Sequence, residues 1–498
     1  MIFAIQCFDE RGIMYSYTEL RKKYPVFTYE GFDIEQDNIS VKLTYNFRID
    51  GLSEFAPTWT FPRGNKETDF TADAIFRRMA FYLGMVELVS YWKIACPPLV
   101  RIKGVSLGSD EISWWKSLYF NGLGEFYYTN GIDENENDFM RIEPERGITE
   151  NTLSLQCEAD VQAALAMRDS RLQTLKDGAR CMVPIGGGKD SAVSLEVIKE
   201  YRDNLYAYII NPRGATIETV KRAGMDFDGE HVITAKRTLD KNMLELNKQG
   251  FLNGHTPFSA IVAFSATIAA YMNGITYIAL SNESSANEST VPGSTVNHQY
   301  SKSFRFEKDF HEYEAVCMES GTYYFSLLRP LSEFQIAALF ASYKKYHDIF
   351  KSCNVGSKQD IWCGHCPKCL FVWLIMSPFL SVEELCGIFG TNMADDGSMR
   401  EYFDKLVGIA DEKPFECVGS VDEVNAAVTF TIKKMKASGV KLPLLFEYYC
   451  GTGLYEHNLP LCENYFKYYD ERNLLPEEFE EALQKALKEN IGERAPKQ

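Results

Sequence analysis

The stretch from Met182 to Ser191 reads Met-Val-Pro-Ile-Gly-Gly-Gly-Lys-Asp-Ser and restricts the fold more than any other part of the chain. It overlaps an apolar run, Ala179–Ile185, and leads into an amphipathic segment, Ser191–Tyr201. Glycines at such a strand-to-helix turn let backbone N–H groups converge on a phosphate, and the helix N-terminus adds positive potential. The sequence therefore predicts an anion-binding turn formed by Gly186, Gly187, Gly188, Lys189, Asp190 and Ser191.

Other short apolar runs follow this turn at intervals that leave room for helices. They lie at Leu205–Ile210, His231–Thr234 and Thr276–Leu280, and a long helical stretch, Ser259–Met272, precedes the last of them. Short apolar strands that alternate with helices are typical of βαβ units. Residues 179–390 are therefore predicted to form an α/β domain with a doubly wound parallel sheet.

The regions on either side have different patterns. Ile39–Ile49 alternates apolar and polar residues with the period of a half-buried strand, and Ala72–Ala95 has helical periodicity up to Pro97. Residues 1–178 are therefore predicted to form an N-terminal α+β domain. Residues 391–498 are predicted to be mostly helical, with a charged, solvated helix over Pro476–Gln498.

Composition narrows the class of protein. The 498-residue chain is long enough for two or three domains, and its formal net charge of −17 argues against nucleic acid as the main partner. The N-terminus lacks the pattern of a signal peptide, and the longest apolar stretches fall short of the roughly 20 residues that span a bilayer. We therefore expect a cytoplasmic protein without a membrane partner, whose 13 cysteines are mostly reduced.

The glycine turn is neither a Walker A loop nor a G-x-G-x-x-G dinucleotide loop. Its G-G-x-D-S core instead resembles the PP-loop of the N-type ATP pyrophosphatase superfamily, of HUP-like fold, with Gly186 in place of the usual leading serine. The resemblance implies that ATP is cleaved to AMP and diphosphate with Mg²⁺, and that Asp190 and Lys189 take part in catalysis. Polar residues just after the next strands are further ATP-binding candidates, because ligands collect at the carboxyl ends of strands in open α/β sheets. These candidates are Asn211, Arg213, Asn282 and Glu283.

A cysteine cluster follows, with the spacing Cys-(x9)-Cys-Gly-His-Cys-Pro-Lys-Cys. Four thiolates at these spacings can close a tetrahedron around Zn²⁺, which leaves no open position and makes the metal structural. The predicted ligands are Cys353, Cys363, Cys366 and Cys369. His365 in place of Cys353, an iron–sulfur cluster, or a set of merely buried or redox cysteines remain alternatives.

Several further segments resemble one PP-loop family, the MurL epimerases. The segments that carry the resemblance are Asn253–Ala260, Ser281–Glu288, Asn297–Ser303, Trp362–Cys369 and Lys413–Gly419. The resemblance implies an ATP-dependent epimerase of peptidoglycan synthesis that inverts the terminal L-Glu of UDP-N-acetylmuramoyl-L-Ala-L-Glu through an acyl-adenylate. No pyridoxal phosphate would be required.

The segment His298–Cys317 is the expected source of acid–base and anion-binding groups. His298 is the first candidate for proton transfer. Lys302 and Arg305 are candidates for the substrate's phosphate or carboxylate groups, since Arg binds such anions through two hydrogen bonds. His255 is a further substrate candidate. A solvated charged loop is the alternative for this segment.

Two other functions remain open at this point. A PP-loop synthetase that forms an amide or nitrile, as in 7-cyano-7-deazaguanine synthases, also makes an adenylate but then adds ammonia. A non-catalytic zinc-knot binding protein would leave ATP intact. The epimerase needs no nitrogen source and returns a free acid of inverted configuration, which separates it from the synthetase. Absence of ATP hydrolysis with any carboxylate would favour the binding protein. The oligomeric state is not predicted.

Overall fold

The computed structural model describes residues 15–64, 67–149, 154–174, 178–288, 297, 299–356 and 359–492. Up to residue 174, the described residues form five α-helices and eight strands, in the order α1 (Tyr17–Lys23), β1 (Val26–Gln36), β2 (Ser40–Ile49), β3 (Ser53–Phe55), β4 (Thr58–Pro62), α2 (Ala74–Trp92), β5 (Leu99–Ile102), β6 (Leu107–Gly108), α3 (Ser109–Gly122), α4 (Gly124–Thr129), β7 (Arg141–Pro144), β8 (Ile148–Thr149) and α5 (Glu158–Gln173).

The middle part alternates strands and helices. Its elements are β9 (Cys181–Pro184), α6 (Lys189–Val197), β10 (Leu205–Ile210), α7 (Gly214–Arg222), β11 (Val232–Thr238), α8 (Lys241–Lys248), α9 (Phe258–Met272), β12 (Tyr277–Leu280), α10 (Phe304–Tyr313), β13 (Tyr323–Ser326) and α11 (Glu333–Ser342). The last part is helical, with α12 (Pro367–Met376), α13 (Val382–Phe389), α14 (Arg400–Leu406), α15 (Val421–Ala437), α16 (Leu444–Gly451), α17 (Leu454–Asn458) and α18 (Glu477–Ile491).

The strands β9 to β13 form a parallel sheet in the order β13-β12-β9-β10-β11. β10 and β11 are added on one side of β9, and β12 and β13 are then added on the other side. The strand order therefore reverses between β9 and β12. A reversal of this kind leaves a crevice at the carboxyl ends of the two strands, where ligands bind in open α/β sheets. The predicted α/β class and the mostly parallel central sheet are confirmed.

Each parallel strand alternates its side chains between two hydrophobic cores, because successive side chains point to opposite faces. On β9, Met182 lies in the core that also holds α2 and α9, while Cys181 and Val183 lie in the core that holds α11, α12 and α15. Both faces of the sheet are therefore covered, as the apolar composition of these strands predicted.

The N-terminal strands extend the same sheet. β4 pairs antiparallel with β11, with Thr60 opposite Lys236 and Trp59 opposite Arg237. The order continues β4-β2-β1-β5-β7, with β3 beside β2, to give 11 strands in all. The alternation at Ile39–Ile49 is confirmed by β2, where Val41 through Ile49 bury every second residue, although Ile39 itself is exposed. The boundary at residue 178 stays a prediction, and the sheet runs across it.

The C-terminal helices pack on the second core. The prediction of helix is confirmed there, but the prediction that the charged tail is solvated is wrong for one face of α18. Phe479, Leu483 and Leu487 are buried, and the Phe479 ring lies 4.9 Å from that of Phe325, measured between centroids. Within the described ranges, no helix combines the length and the apolar character needed to cross a bilayer.

Candidate nucleotide cleft and cysteine cluster

A cleft of about 500 Å³ opens at the carboxyl ends of β9, β10 and β12, at the reversal of strand order. The glycine turn forms one wall, with Gly186, Gly188, Asp190 and Ser191 bordering the space. The first turn of α7 forms a second wall, and an apolar side is lined by Phe258, Val262, Tyr208 and Ile210. The predicted anion-binding turn therefore faces a cavity with one polar and one apolar side.

The three glycines of the turn have different structural roles. Gly187 has φ +80°, and a Cβ added there would lie 3.0 Å from Ala215 Cβ and 3.2 Å from the Thr216 nitrogen. Gly188 precedes α6 as its N-cap without a side-chain hydrogen bond, so the first N–H groups of α6 have no capping side chain. A Cβ at Gly186 would meet no heavy atom within 4 Å. The backbone conformation at Gly187 and its close approach to α7 thus require glycine, whereas the position of Gly186 does not.

Lys189 does not line the cleft. Its side chain is buried and its ammonium forms ion pairs with Asp190 and Glu333. Asp190 lies at the cleft wall, and its side chain is about one-third exposed. Burial opposes ionisation of Asp190, but Lys189, with Lys368 and Lys302 farther away, holds the pKa of this carboxyl below its usual value. The arrangement presents an ionised carboxylate to the cleft, supported by a lysine underneath.

The candidates after β10 differ in their positions. Arg213 borders the cleft at the start of α7. The Asn211 side chain is used structurally, since its amide donates to the Arg237 carbonyl and accepts from the Arg237 N–H, both at 2.9 Å. Asp360, which no sequence motif indicated, also borders the cleft. Its carboxylate accepts the Ala215 N–H at 2.7 Å and so caps α7.

The ATP-binding candidates after β12 are Asn282 and Glu283, and a buried arginine holds the backbone there. Asn282 borders the cleft and donates to Ser326 Oγ at 3.0 Å. Arg329, fully buried, donates to the backbone carbonyls of Glu283 and Lys302 and forms an ion pair with Glu307 at 2.9 Å. Arg329 therefore fixes the chain after β12 relative to the segment that carries Lys302.

The substrate candidates separate into two groups. Lys302 borders the cleft. Arg305 lies outside the cleft lining, where it is exposed on α10 and donates to Ser117 Oγ at 3.1 Å. His255 also lies outside the lining, with Nδ1 3.3 Å from Glu125 Oε2. His298 lies outside the described residues.

Two lysines and a cysteine that the sequence did not single out also border the cleft, namely Lys351, Lys368 and Cys417. Lys368 follows directly on Cys366 and Pro367, and its ammonium donates to the Cys417 carbonyl. Position inside the quoted motifs Trp362–Cys369 and Lys413–Gly419 was the only signal that could have found Lys368 and Cys417. Neither has a local pattern that indicates chemistry.

The predicted metal ligands lie together beside the cleft. The sulfur atoms of Cys353, Cys363, Cys366 and Cys369 all lie within 4.8 Å of one another. The Cys353–Cys366 and Cys363–Cys369 sulfur separations are 3.8 and 3.6 Å. Zinc–sulfur bonds of about 2.3 Å in a tetrahedron place sulfur atoms about 3.8 Å apart. The cluster is therefore compatible with a structural zinc ion.

The surroundings of the cluster fit this interpretation. Cys353 Sγ accepts the Gly356 N–H at 3.1 Å, and Cys366 Sγ accepts the Cys369 N–H at 3.4 Å, as thiolates at metal sites do. His365 is exposed and its Nδ1 lies 2.7 Å from the Cys363 carbonyl. None of the described cysteines forms a disulfide. The alternative with His365 as the fourth ligand is therefore not favoured.

The sequence of this chain is similar to those of known proteins. The MurL N-terminal domain matches residues 18–327, and the MurL C-terminal domain matches residues 349–442. A protein of Xanthomonas oryzae pv. oryzae named UDP-N-acetyl-alpha-D-muramoyl-L-alanyl-L-glutamate epimerase is 35% identical over 70% of this chain and 72% of its own. A Salinispora tropica protein of the same name is 31% identical over 82% of this chain and 86% of its own.

A Micromonospora protein, also of that name, is 30% identical over 82% of this chain and 88% of its own length. No solved structure matches the chain. Residues of both matched domains line the cleft. Together the two matches include the glycine turn, Lys302 and the cysteine cluster. The chain that folds around this cleft belongs to the MurL family.

Proposed function

We propose that this protein is an epimerase that converts the terminal L-Glu of UDP-N-acetylmuramoyl-L-Ala-L-Glu to D-Glu, at the expense of ATP, during the synthesis of peptidoglycan precursors. The names of its relatives support the substrate and the isomerisation. The observation that carries the chemistry is the glycine turn at the reversal of strand order, which supports an ATP site of the PP-loop type in a HUP-like sheet.

The backbone of the turn is suited to the ATP phosphates. Gly187 brings the turn against the start of α7, so the N-termini of α6 and α7 approach the same space. Backbone N–H groups and helix dipoles at these two ends would stabilise negative charge. Ser191 adds a hydroxyl, and the apolar side around Phe258 and Val262 suits the adenine ring.

The Asp190 carboxylate is a suitable ligand for Mg²⁺ in this cleft. The ionised Asp190 carboxylate is a hard oxygen ligand of the kind that Mg²⁺ prefers, and Mg²⁺ bound with substrate phosphates usually uses only one or two carboxylates from the protein. When bound, the ion would neutralise phosphate charge. Lys189 keeps Asp190 in place from below and does not itself reach the phosphates.

Adenylation explains how an unreactive glutamate can be epimerised. The α-carboxylate next to Cα carries a negative charge that opposes removal of the Cα proton. Attack of this carboxylate on the α-phosphate of ATP releases diphosphate and leaves a neutral, ester-like acyl group, which makes the Cα proton more acidic. Water then releases the product and AMP after the proton has been removed and returned on the other face.

Lys302 is placed to bind an anionic part of the substrate at the cleft. Its pKa lies above the ordinary value, because attraction from Cys417, Glu283 and Asp190 outweighs the effect of burial, so it carries a positive charge. Arg305 and His255, outside the cleft lining, could contact only the distant part of a long UDP-sugar peptide. His298 stays a candidate for proton transfer.

The four cysteines are proposed to hold a structural zinc ion. Cys353 belongs both to this cluster and to the cleft lining, next to Ser352 and Asn354. A metal that fixes Cys353 would therefore also fix one wall of the nucleotide cleft. A closed set of four thiolates leaves no position for a substrate, so the zinc would take no part in the reaction.

The test is incubation of the protein with ATP, Mg²⁺ and UDP-N-acetylmuramoyl-L-Ala-L-Glu, without ammonia. Release of AMP and diphosphate and the appearance of D-Glu after acid hydrolysis are expected, and Asp190→Asn should abolish both. The matched control is Asp228→Asn, since Asp228 is exposed on a turn away from the cleft. Formation of ADP, or unchanged diphosphate release in Asp190→Asn, would refute the proposal.

A further inference from the structure

The cleft contains a thiol that the assignments above do not use. Cys417 is half-buried in the loop between α14 and α15, and it borders the cleft together with Asp190, Asn282 and Lys302. The Lys302 ammonium hydrogen-bonds its side chain. A single cavity thus brings together the turn proposed to bind ATP and a sulfur atom beside a cation.

The backbone around Cys417 is fixed by two side chains from other parts of the chain. The Lys368 ammonium donates to the Cys417 carbonyl, and the Gln299 amide donates to the Val418 carbonyl at 3.2 Å. Gln299 lies three residues before Lys302, so the same short segment anchors the loop and supplies the neighbouring cation. These two hydrogen bonds therefore hold the backbone that carries the sulfur at the cleft.

The surroundings favour the reactive form of this thiol. A nearby lysine ammonium stabilises a thiolate, and a positioned thiolate can act as a general base. Lys302 keeps its charge in this position. By contrast, burial raises the pKa of the thiols of Cys181 and Cys96, which lie outside the cleft lining.

We propose that Cys417, held as a thiolate by Lys302, removes the Cα proton of the adenylated glutamate. The proposal rests on the function proposed above. In this step the Cα–H bond breaks, an S–H bond forms, and the electron pair of the broken bond passes into the enolate of the acyl group. Water donates a proton to the opposite face of Cα, and the hydroxide that results takes the proton from Cys417 and restores the thiolate.

Activation and proton transfer are then separate steps, and each can be measured independently in the full-length protein. Activation is followed as exchange of labelled diphosphate into ATP in the presence of the L-Glu substrate. Proton transfer is followed as incorporation of deuterium at Cα in D₂O. Cys417→Ser should keep diphosphate exchange within about threefold of the wild type and lose Cα exchange by about 10²-fold or more, the range that a positioned base contributes.

The matched control is Cys386→Ser. Cys386 is likewise partly exposed but lies on α13, away from the cleft lining, so both exchange rates should be unchanged. Wild-type-like Cα exchange in Cys417→Ser overturns the assignment of the base and leaves the epimerase function intact. Loss of both exchanges in a Cys417→Ser protein that unfolds with the same urea midpoint as the wild type also overturns it, since Cys417 would then act in activation. Absence of both exchanges in the wild type overturns the function and, with it, this proposal.

A measurement on the unaltered protein covers the case in which Cys417→Ser fails to fold. Zinc-loaded wild type is treated with iodoacetamide at pH 7, and the modified cysteines are identified by mass spectrometry. Cys417 should react several-fold faster than Cys386, substrate should protect it, and loss of Cα exchange should follow its modification. Equal reactivity of the two thiols, or full Cα exchange after modification of Cys417, would contradict the proposal.

Discussion

At the scale of single residues, the glycine turn depends on Gly187 far more than on Gly186. Gly187→Ala should lower the rate of diphosphate release at least tenfold, because its left-handed backbone is strained for alanine and its Cβ would press on the start of α7. Steady-state kinetics with the L-Glu substrate measures this effect.

The matched control is Gly186→Ala, at a position with open space around an added Cβ. It should keep most of the activity. Gly186→Ser restores the serine that PP-loops usually have and should be tolerated equally well. Equal losses in the Gly186 and Gly187 variants would show that the space around the turn does not decide its function.

Lys189 gives a second prediction at this scale. Lys189→Met removes the cation between Asp190 and Glu333 and should destabilise the protein by about 1–3 kcal/mol, the cost of leaving buried polar groups without a partner. The cost stays below that of a fully buried unpaired charge, because Asp190 is about one-third exposed and burial raises the pKa of Glu333 to about 8. Urea unfolding measures the free energy, and Lys241→Met, at an exposed position on α8, is the control. If Lys189 bound phosphate, Lys189→Met would instead lower the affinity for ATP and leave the free energy of unfolding unchanged.

At the scale of elements, α10 carries a buried histidine that makes stability depend on pH. Burial and the adjoining Arg168 lower the pKa of His311 to about 3, from 6.5. The folded state therefore favours the neutral ring, and its contribution to stability is present above pH 6.5 and is lost as the pH falls from there towards 3. By linkage this loss amounts to about 2 kcal/mol between roughly pH 7.5 and 5.

His311→Gln should remove this part of the pH dependence. An amide can still donate to the Tyr324 carbonyl and accept from Arg168, the two contacts that the ring makes at 3.0 and 2.7 Å. Urea unfolding of both proteins at several pH values gives the difference. A pH dependence that stays parallel to that of the wild type would mean that His311 is protonated in the folded state.

The elements around the glycine turn could be predicted because their information is local. The apolar run, the three glycines and the amphipathic segment predicted β9 and α6 within a few residues. β13 was not predicted, since the four residues Tyr323–Ser326 are too few to establish a period and gain their structure by pairing with β12. The pairing of β4 with β11 also escaped prediction, because it joins residues far apart in sequence.

The site was predictable only in part for the same reason. Spacing alone located the four cysteines, since their ligand pattern lies almost entirely within seven residues. Lys189 was expected to face an anion, and only the position of Glu333, 144 residues away, explains why it points inward. Cys417 has no local pattern at all, and its place beside Lys302 depends on the path of the C-terminal helices.

At the scale of the whole molecule, the cysteine cluster should couple metal content to the shape of the cleft. The purified protein should contain about one zinc per chain, and its removal by a strong chelator should lower both the melting temperature and the affinity for ATP. Cys363→Ser should have the same two effects. Metal analysis, thermal unfolding and nucleotide titration measure them.

The control is Cys450→Ser, on α16 and outside the cluster, which should keep its zinc and its affinity for ATP. A chelated protein that binds ATP as before would show that the metal and the cleft are independent. A metal other than zinc in the native protein would correct the assignment of the ion and leave the coupling to be tested with that metal.

The sheet that continues from β13 to β7 has a consequence for motion during the reaction. A hydrogen-bonded ladder joins β11 to β4, so the N-terminal strands and the nucleotide-binding strands cannot swing apart about a hinge without breaking it. Any change in the width of the cleft must therefore involve the opposite side, where Asp360 and Cys417 border the same space as the glycine turn. The continuous strands therefore form one wall of the cleft, and the part of the chain that the cysteine cluster holds together forms the wall that faces them.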